Sequence, residues 1–164
     1  MALRRHFSPE VFPVDFFPNS DTAVQYAADL ATNFNATIHL VHVVMHVMPA
    51  AYEYPLNTAD IVQSVEDASK REMNKMVARL KKQKVKVTGE VRSGQIHEVL
   101  KRIISTAKPD LIVTAIHERG RFERFFMGSV TEWLTQNSTV PVLAVPLSMK
   151  AKPARKARPG KRAA

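Results

Sequence analysis

Apolar positions recur along this chain in two rhythms, short β-type runs alternating with longer stretches at helical spacing. Val11–Asp15 (VFPVD) is the first short run and ends in an acid. Pro13 lacks an amide donor, so this run fits a central ladder only at a bulge or near the strand's end. Phe16–Ser20 is a turn containing Pro18 and Asn19, and Ser20 caps a helix with Asp21 in its first turn. Ala23, Ala27, Leu30, Ala31 and Phe34 fall on one face of that helix. Asn35 punctuates the turn into a second strand, Thr37–Met45 (TIHLVHVVM), and residues 46–57 are irregular. Thr58 and Asp60 open the longest helix, to about Gln83, with Ile61, Val65, Ala68, Met76 and Leu80 expected on its buried side. Lys81, Lys82 and Lys84 suit its C-terminus. Val85–Val91 alternates, which marks a strand with one exposed face near a sheet edge. A helix carrying Ile96, Val99, Leu100, Ile103 and Ile104 follows and is closed by Pro109-Asp110.

The stretch Leu111–Glu132 comes next and has three parts. Leu111–Ile116 reads as a fully buried strand, His117–Met127 as a charged loop, and Gly128-Ser129 as the start of a helix. Either Gly128 or Ser129 serves as N-cap, and Glu132 stands at capping-box distance from Ser129. A loop that leaves a buried strand and ends at a helix N-terminus presents unpaired N–H groups to an anion. Two readings stand here: a phosphate seat, or an ordinary strand-to-helix connection with a good cap. Thr139-Val140-Pro141 then leads into a last strand, Val142–Pro146.

Strands and helices alternate throughout, so the expected fold is α/β. Right-handed crossovers then give a five-stranded parallel, Rossmann-like sheet with helices on both faces. Ligands of such sheets sit beyond the carboxyl ends of the strands, where strand order reverses. If strands one and four are neighbours, Asp15 and the loop at His117 face one crevice.

Composition narrows the chemistry. With 164 residues, the chain can bury one substantial core, and without cysteine it has no disulfide, thiolate metal site or cysteine nucleophile. No run has the length of a signal peptide's apolar core or of a membrane span, so the cytoplasm is the expected location. The formal charge is +9, but Lys150–Ala164 holds seven basic residues and no acid, which leaves residues 1–149 nearly neutral. The expected division is a folded domain over residues 1–147 and a disordered basic tail over 148–164. The tail, Lys150 to Arg162, is either a solubilising segment or a binder of nucleic acid or another polyanion by counterion release.

Three places together resemble the universal stress protein family. They are Pro13-Val14-Asp15-Phe16 before a serine-bearing helix start, Val41-His42-Val43-Val44, and Leu111-Ile112-Val113 with His117, Gly128-Ser129-Val130-Thr131-Glu132 and Pro141-Val142-Leu143. The likeness covers residues 10–146 and implies an adenine-nucleotide α-hydrolase-like sheet. In ATP-binding members it gives Asp15 the adenosine moiety, with Pro13 and Val14 beside it, and gives the Val43 backbone the adenine edge. Gly128, Ser129, Val130 and Thr131 would take phosphate through amides and hydroxyls. Ala115 also belongs to this set, and His117, Arg119 and Arg121 are further candidates for phosphate contact, His117 reading equally as a loop-stabilising hydrogen-bond former. The family's phosphate pattern has glycines where this chain has Ala115 and Glu118. The methyl of Ala115 is tolerable unless the backbone there is left-handed or touches the ligand. Glu118 sets a carboxylate near phosphates, with Arg119, Arg121 and Arg124 either offsetting it or pairing in solvent with Glu118 and Glu123.

The leading expectation is thus a regulatory binding module that takes ATP, with Mg²⁺ if bound. It is homodimeric through the last strand, Val142–Pro146, as the resemblance suggests, and is not an enzyme. The alternative is a nucleotide-independent dimeric adaptor tethered by its tail, and weak ATP hydrolysis ranks last. His39 and His42 should point to opposite faces of their strand and, with His46, make no metal site. Trp133 is expected in the core or an interface. Met45, Met48, Tyr52 and Tyr54 surround a loop that reads equally as a lid, a dimer contact or surface packing.

Overall fold

The computed structural model describes residues 10–13, 20–45, 58–116 and 128–146. Their order is β1 (Glu10–Pro13), α1 (Ser20–Phe34), β2 (Thr37–Val44), α2 (Thr58–Lys82), β3 (Lys86–Ser93), α3 (Ile96–Ala107), β4 (Ile112–Ile116), α4 (Ser129–Asn137) and β5 (Val142–Pro146). All strand pairings are parallel, and the strands lie side by side as β3-β2-β1-β4-β5. The fold is therefore α/β, with β1 in the middle. Glu10–Pro13 pairs with Ile38–Val41, so Pro13 stands at the last pairing of β1, where its missing N–H does least harm. The described part of strand one runs to Pro13, and Val14 and Asp15 of the expected strand lie outside the described residues.

Side-chain alternation divides the core into two clusters. Ile38 and Leu40 of β2, Val87 of β3, Val113 of β4 and Val145 of β5 pack with Ala23, Val24, Ala27, Ala28 and Ala31 of α1 and with Met73 and Leu80 of α2. Val41 and Ile112 point the other way and pack with Leu100 of α3 and Leu134 of α4. Helices thus cover both faces, as a parallel sheet requires. The alanine-rich face of α1 lets that helix lie close to the sheet, whereas Phe34, expected on the same face, is 52% exposed.

The buried stripe of α2 differs from the expected one by a single residue along its first half. Ile61 and Val65 are 53% and 47% exposed and Ala68 is also exposed, while Ser69 and Met73 are buried. The stripe that ends at Met76, Val77 and Leu80 passes back through Met73, Ser69, Glu66 and Val62 at steps of three and four. Continued forward, the stripe of Ile61, Val65 and Ala68 would instead reach Glu72 and Lys75, which are charged and exposed. Arg79 near the helix end donates to Asp21 at 2.7 Å, and that hydrogen bond raises the guanidinium pKa above its ordinary value.

Two glycines fix how β3 sits. Gly94 follows it at φ +139° and its N–H reaches the Val44 carbonyl at 3.0 Å, which ties the ends of β2 and β3. At Gly89 the helix comes so close that an added Cβ would lie 2.6 Å from Met73 Sδ and 2.8 Å from Val77 Cγ2. Gly89→Val is therefore expected to destabilise the chain by about 1–3 kcal/mol through overpacking. Thermal unfolding followed by circular dichroism checks this, and an unchanged midpoint would mean that α2 does not bear on Gly89.

Candidate functional site

The strand order reverses between β1 and β4, which are neighbours through Val11 and Ile112. The chain goes from β1 outward to β2 and β3, then returns to the other side of β1 for β4 and β5. The crevice of such a sheet opens above the carboxyl ends of the two strands at this switch point. Pro13 and Ala115 stand near the ends of those strands, and α4 begins close to the end of β4. Beside β1, Val43 lies on β2 two residues beyond Val41, which pairs with Pro13. Its side chain is half-buried against the α3/α4 cluster.

The start of α4 is the best-defined part of the site. Gly128 is the N-cap, in extended conformation at φ −60° and ψ 154°, and as a glycine it brings no side chain to cap the helix. The first intrahelical bond runs from Glu132 N–H to the Gly128 carbonyl at 3.0 Å, so the amides of Ser129, Val130 and Thr131 precede the helical ladder. Ser129 is exposed at the first helical position. A Cβ built at Gly128 would meet no heavy atom within 4 Å apart from its chain neighbours, so the position has room for a side chain. The expected capping box does not form. With Gly128 as cap, Glu132 is the fourth helical residue, one beyond the position from which its carboxylate reaches back.

Thr131 has two roles that point in opposite directions. Its side chain is 2% exposed, and its hydroxyl meets that of Thr114 at 2.9 Å and donates to the Ala115 carbonyl at 3.3 Å. The hydroxyl assigned to phosphate by resemblance is thus committed to the core, and only the amide remains for a ligand. Thr114 was absent from the sequence-based site, although a lone hydroxyl inside the apolar run LIVTAI signals a buried partner.

Ala115 occupies an ordinary strand position paired with Val145. Its methyl packs toward the α1/α2 cluster, on the opposite side of the sheet from α4, and its backbone is not left-handed. The alanine methyl in place of glycine thus points away from α4. Val14, Asp15, His117, Glu118, Arg119 and Arg121 lie outside the described residues, as do His46, Met48, Tyr52, Tyr54 and the tail. His39 accepts no role here, because its Nε2 is 2.8 Å from Glu90 on the β3 side. Trp133 is half-buried and stacks on His97 with ring centroids 4.8 Å apart.

The model of the universal stress protein family matches residues 9–146, a span that contains every element just described. The chain belongs to the universal stress protein family. It is 26% identical over 147 residues to universal stress protein A homolog 1 of Coxiella burnetii, covering 85% of this chain and 96% of that one. Among solved structures, UspA from Lactobacillus plantarum superposes with a TM-score of 0.69 at 18% identity, over 86% of this chain and 99% of the other. A universal stress protein from Archaeoglobus fulgidus, solved in complex with dAMP, superposes with a TM-score of 0.60 at 17% identity, over 86% and 99%. At these identities the structural matches carry the fold alone. No helix among the described residues is long and apolar enough to cross a membrane.

The anchoring of α4 can be tested directly. Thr131→Val is expected to leave the Thr114 hydroxyl buried without its partner and to cost about 1–3 kcal/mol. The double variant Thr114→Val, Thr131→Val removes both hydroxyls and is expected to be closer to wild type than Thr131→Val alone. Denaturant unfolding of the three proteins checks this, and strictly additive losses would show that the two hydroxyls do not interact.

Proposed function

We propose that this universal stress protein is a binding and regulatory module that takes an adenine nucleotide in the β1/β4 crevice. The observation that carries the reading is the N-terminus of α4, where the N-cap Gly128 has no side chain to take the first amides and Thr131 fastens the helix from below. Its aligned amides and the positive end of the helix dipole suit a phosphate group. A family relative was solved with dAMP, which makes adenosine with at least one phosphate the natural occupant class. ATP is the ligand we assign, with the amides of Ser129, Val130 and Thr131 on phosphate and the Val43 main chain on the adenine edge. Pro13, Val14 and Asp15 would flank the adenosine, and His117, Arg119 and Arg121 would add contacts to the phosphates. The described residues hold no group of three or more histidines and acids suited to a metal, so Mg²⁺ would arrive on the nucleotide's phosphates. The module acts by occupancy and not by turnover, in the cytoplasm.

Calorimetric titration with ATP and Mg²⁺ tests this, with Gly128→Asp as the control. Aspartate is a good N-cap and should preserve α4 while its carboxylate occupies the phosphate position. Saturable binding at one site per chain, weakened at least about tenfold by Gly128→Asp at unchanged fold, is the expected result. Equal affinity in the variant would remove the phosphate from α4.

We further propose a homodimer through β5 and polyanion binding through the tail. β5 is an edge strand of Val142, Leu143, Ala144, Val145 and Pro146, with an apolar composition that invites a partner strand. The seven basic residues of Lys150–Ala164 favour the adaptor reading, in which the tail tethers the dimer to nucleic acid. Truncation after Leu147 is expected to abolish salt-sensitive retention on DNA while sedimentation still shows a dimer. DNA retention by the truncated chain would refute the tether, and a monomer before truncation would refute the β5 interface.

A further inference from the structure

The β3 edge carries a second concavity, separated by β2 from the β1/β4 crevice. On the face shared by α3 and α4, no helix among the described residues lies above β3, and α3 closes only one side. Between them lies an open groove of about 280 Å³, with Glu90 and Arg92 of β3 and His39 of β2 on one wall and Val99, Arg102 and Ile103 of α3 on the other.

The charges in this groove do not balance. Glu90 uses one oxygen at 2.8 Å from His39 Nε2 and the other at 2.6 Å from Arg92 Nε. Both ring nitrogens of His39 are engaged, Nε2 by Glu90 and Nδ1 3.3 Å from the Thr88 hydroxyl. Arg92 engages Glu90 through Nε alone, which leaves its terminal amino groups directed elsewhere, and the side chain is 62% exposed. Arg102 is exposed and has no ion-pair partner among the described residues. Two guanidiniums therefore face one carboxylate, which already holds Arg92 in place. Beside them Val99 and Ile103 give an apolar wall, and the lining holds no aromatic ring except the committed imidazole of His39.

We propose that this groove binds a small amphipathic organic carboxylate. Its head group pairs with Arg102 and the free amino groups of Arg92, and its aliphatic body lies along Val99 and Ile103. Guanidinium matches carboxylate geometry in a fork, and the groove is at the small end of ligand-site volumes. A purine has no ring to stack on here, so the groove is distinct in chemistry from the nucleotide crevice. Occupancy also covers the exposed face of the β3 edge.

The test is titration of the full chain with octanoate, followed by amide and arginine Nε NMR signals. Saturable shifts at Arg92, Arg102 and Ile103 are expected, with the signals of Ser129–Thr131 unmoved. Arg102→Gln, a change on an exposed helix surface, should weaken octanoate at least about tenfold while the rest of the spectrum stays in place. Arg92→Gln should weaken it in the same direction. Shifts confined to the tail, equal affinity in Arg102→Gln, or no saturable shift would overturn the proposal. So would inorganic phosphate acting as strongly as octanoate, which would reduce the groove to a plain cationic patch. Octanol binding as tightly as octanoate would likewise remove the role of the arginines.

Discussion

A parallel sheet has to bury both of its faces, and the other features of this molecule follow from that constraint. Alternate residues of β2 make the division visible: Ile38 and Leu40 go to α1 and α2, Val41 to α3 and α4. Because each crossover is right-handed, covering both faces forces the chain to reverse direction once across the sheet. That reversal falls between β1 and β4, so the crevice is a by-product of completing the core. β1 is short and central, and it can end in proline only because pairing stops there.

The two edges of the sheet are treated in opposite ways. β3 carries Lys86, Thr88, Glu90 and Arg92 on its solvent side, a charged edge that resists pairing with another chain. β5 carries no charge at all. An apolar edge suits a partner strand, and a charged edge beside a half-covered face suits a small polar-headed ligand. Each edge is therefore suited to a different kind of occupant, and both are separate from the β1/β4 switch point.

Much of this organisation was legible in the sequence because periodicity reports burial. The nine elements, the edge position of β3 and the start of α4 at Gly128-Ser129 all follow from spacing and turn residues. The failures have physical causes. On α2 the stripe of Ile61, Val65 and Ala68 looked apolar, but its continuation at Glu72 and Lys75 is charged. The helix rotates so that Met73 and Leu80 meet the sheet, which carries the polar Ser69 inward. At α4 the sequence offered two caps, and the choice of Gly128 moved Glu132 out of reach of a capping box. The groove at β3 was invisible because His39, Glu90, Arg92 and Arg102 come from three elements, which only the register of β2 with β3 and the packing of α3 bring together.

The absent cap on α4 gives the clearest link between stability and function. A serine, threonine or aspartate at that position would stabilise the helix by about 0.5–2 kcal/mol relative to alanine and would occupy the amides in doing so. Here the helix is held from beneath, by the Thr131 hydroxyl on Thr114 and on the Ala115 carbonyl. Buried hydrogen bonds of this kind contribute about 0.5–1.5 kcal/mol each, enough to offset a missing cap. Anchoring through the side chain at the third helical position fastens the helix without using its first three amides, which precede the helical ladder. Ala115 fits this division, since its carbonyl serves the anchor while its methyl turns to the opposite face of the sheet.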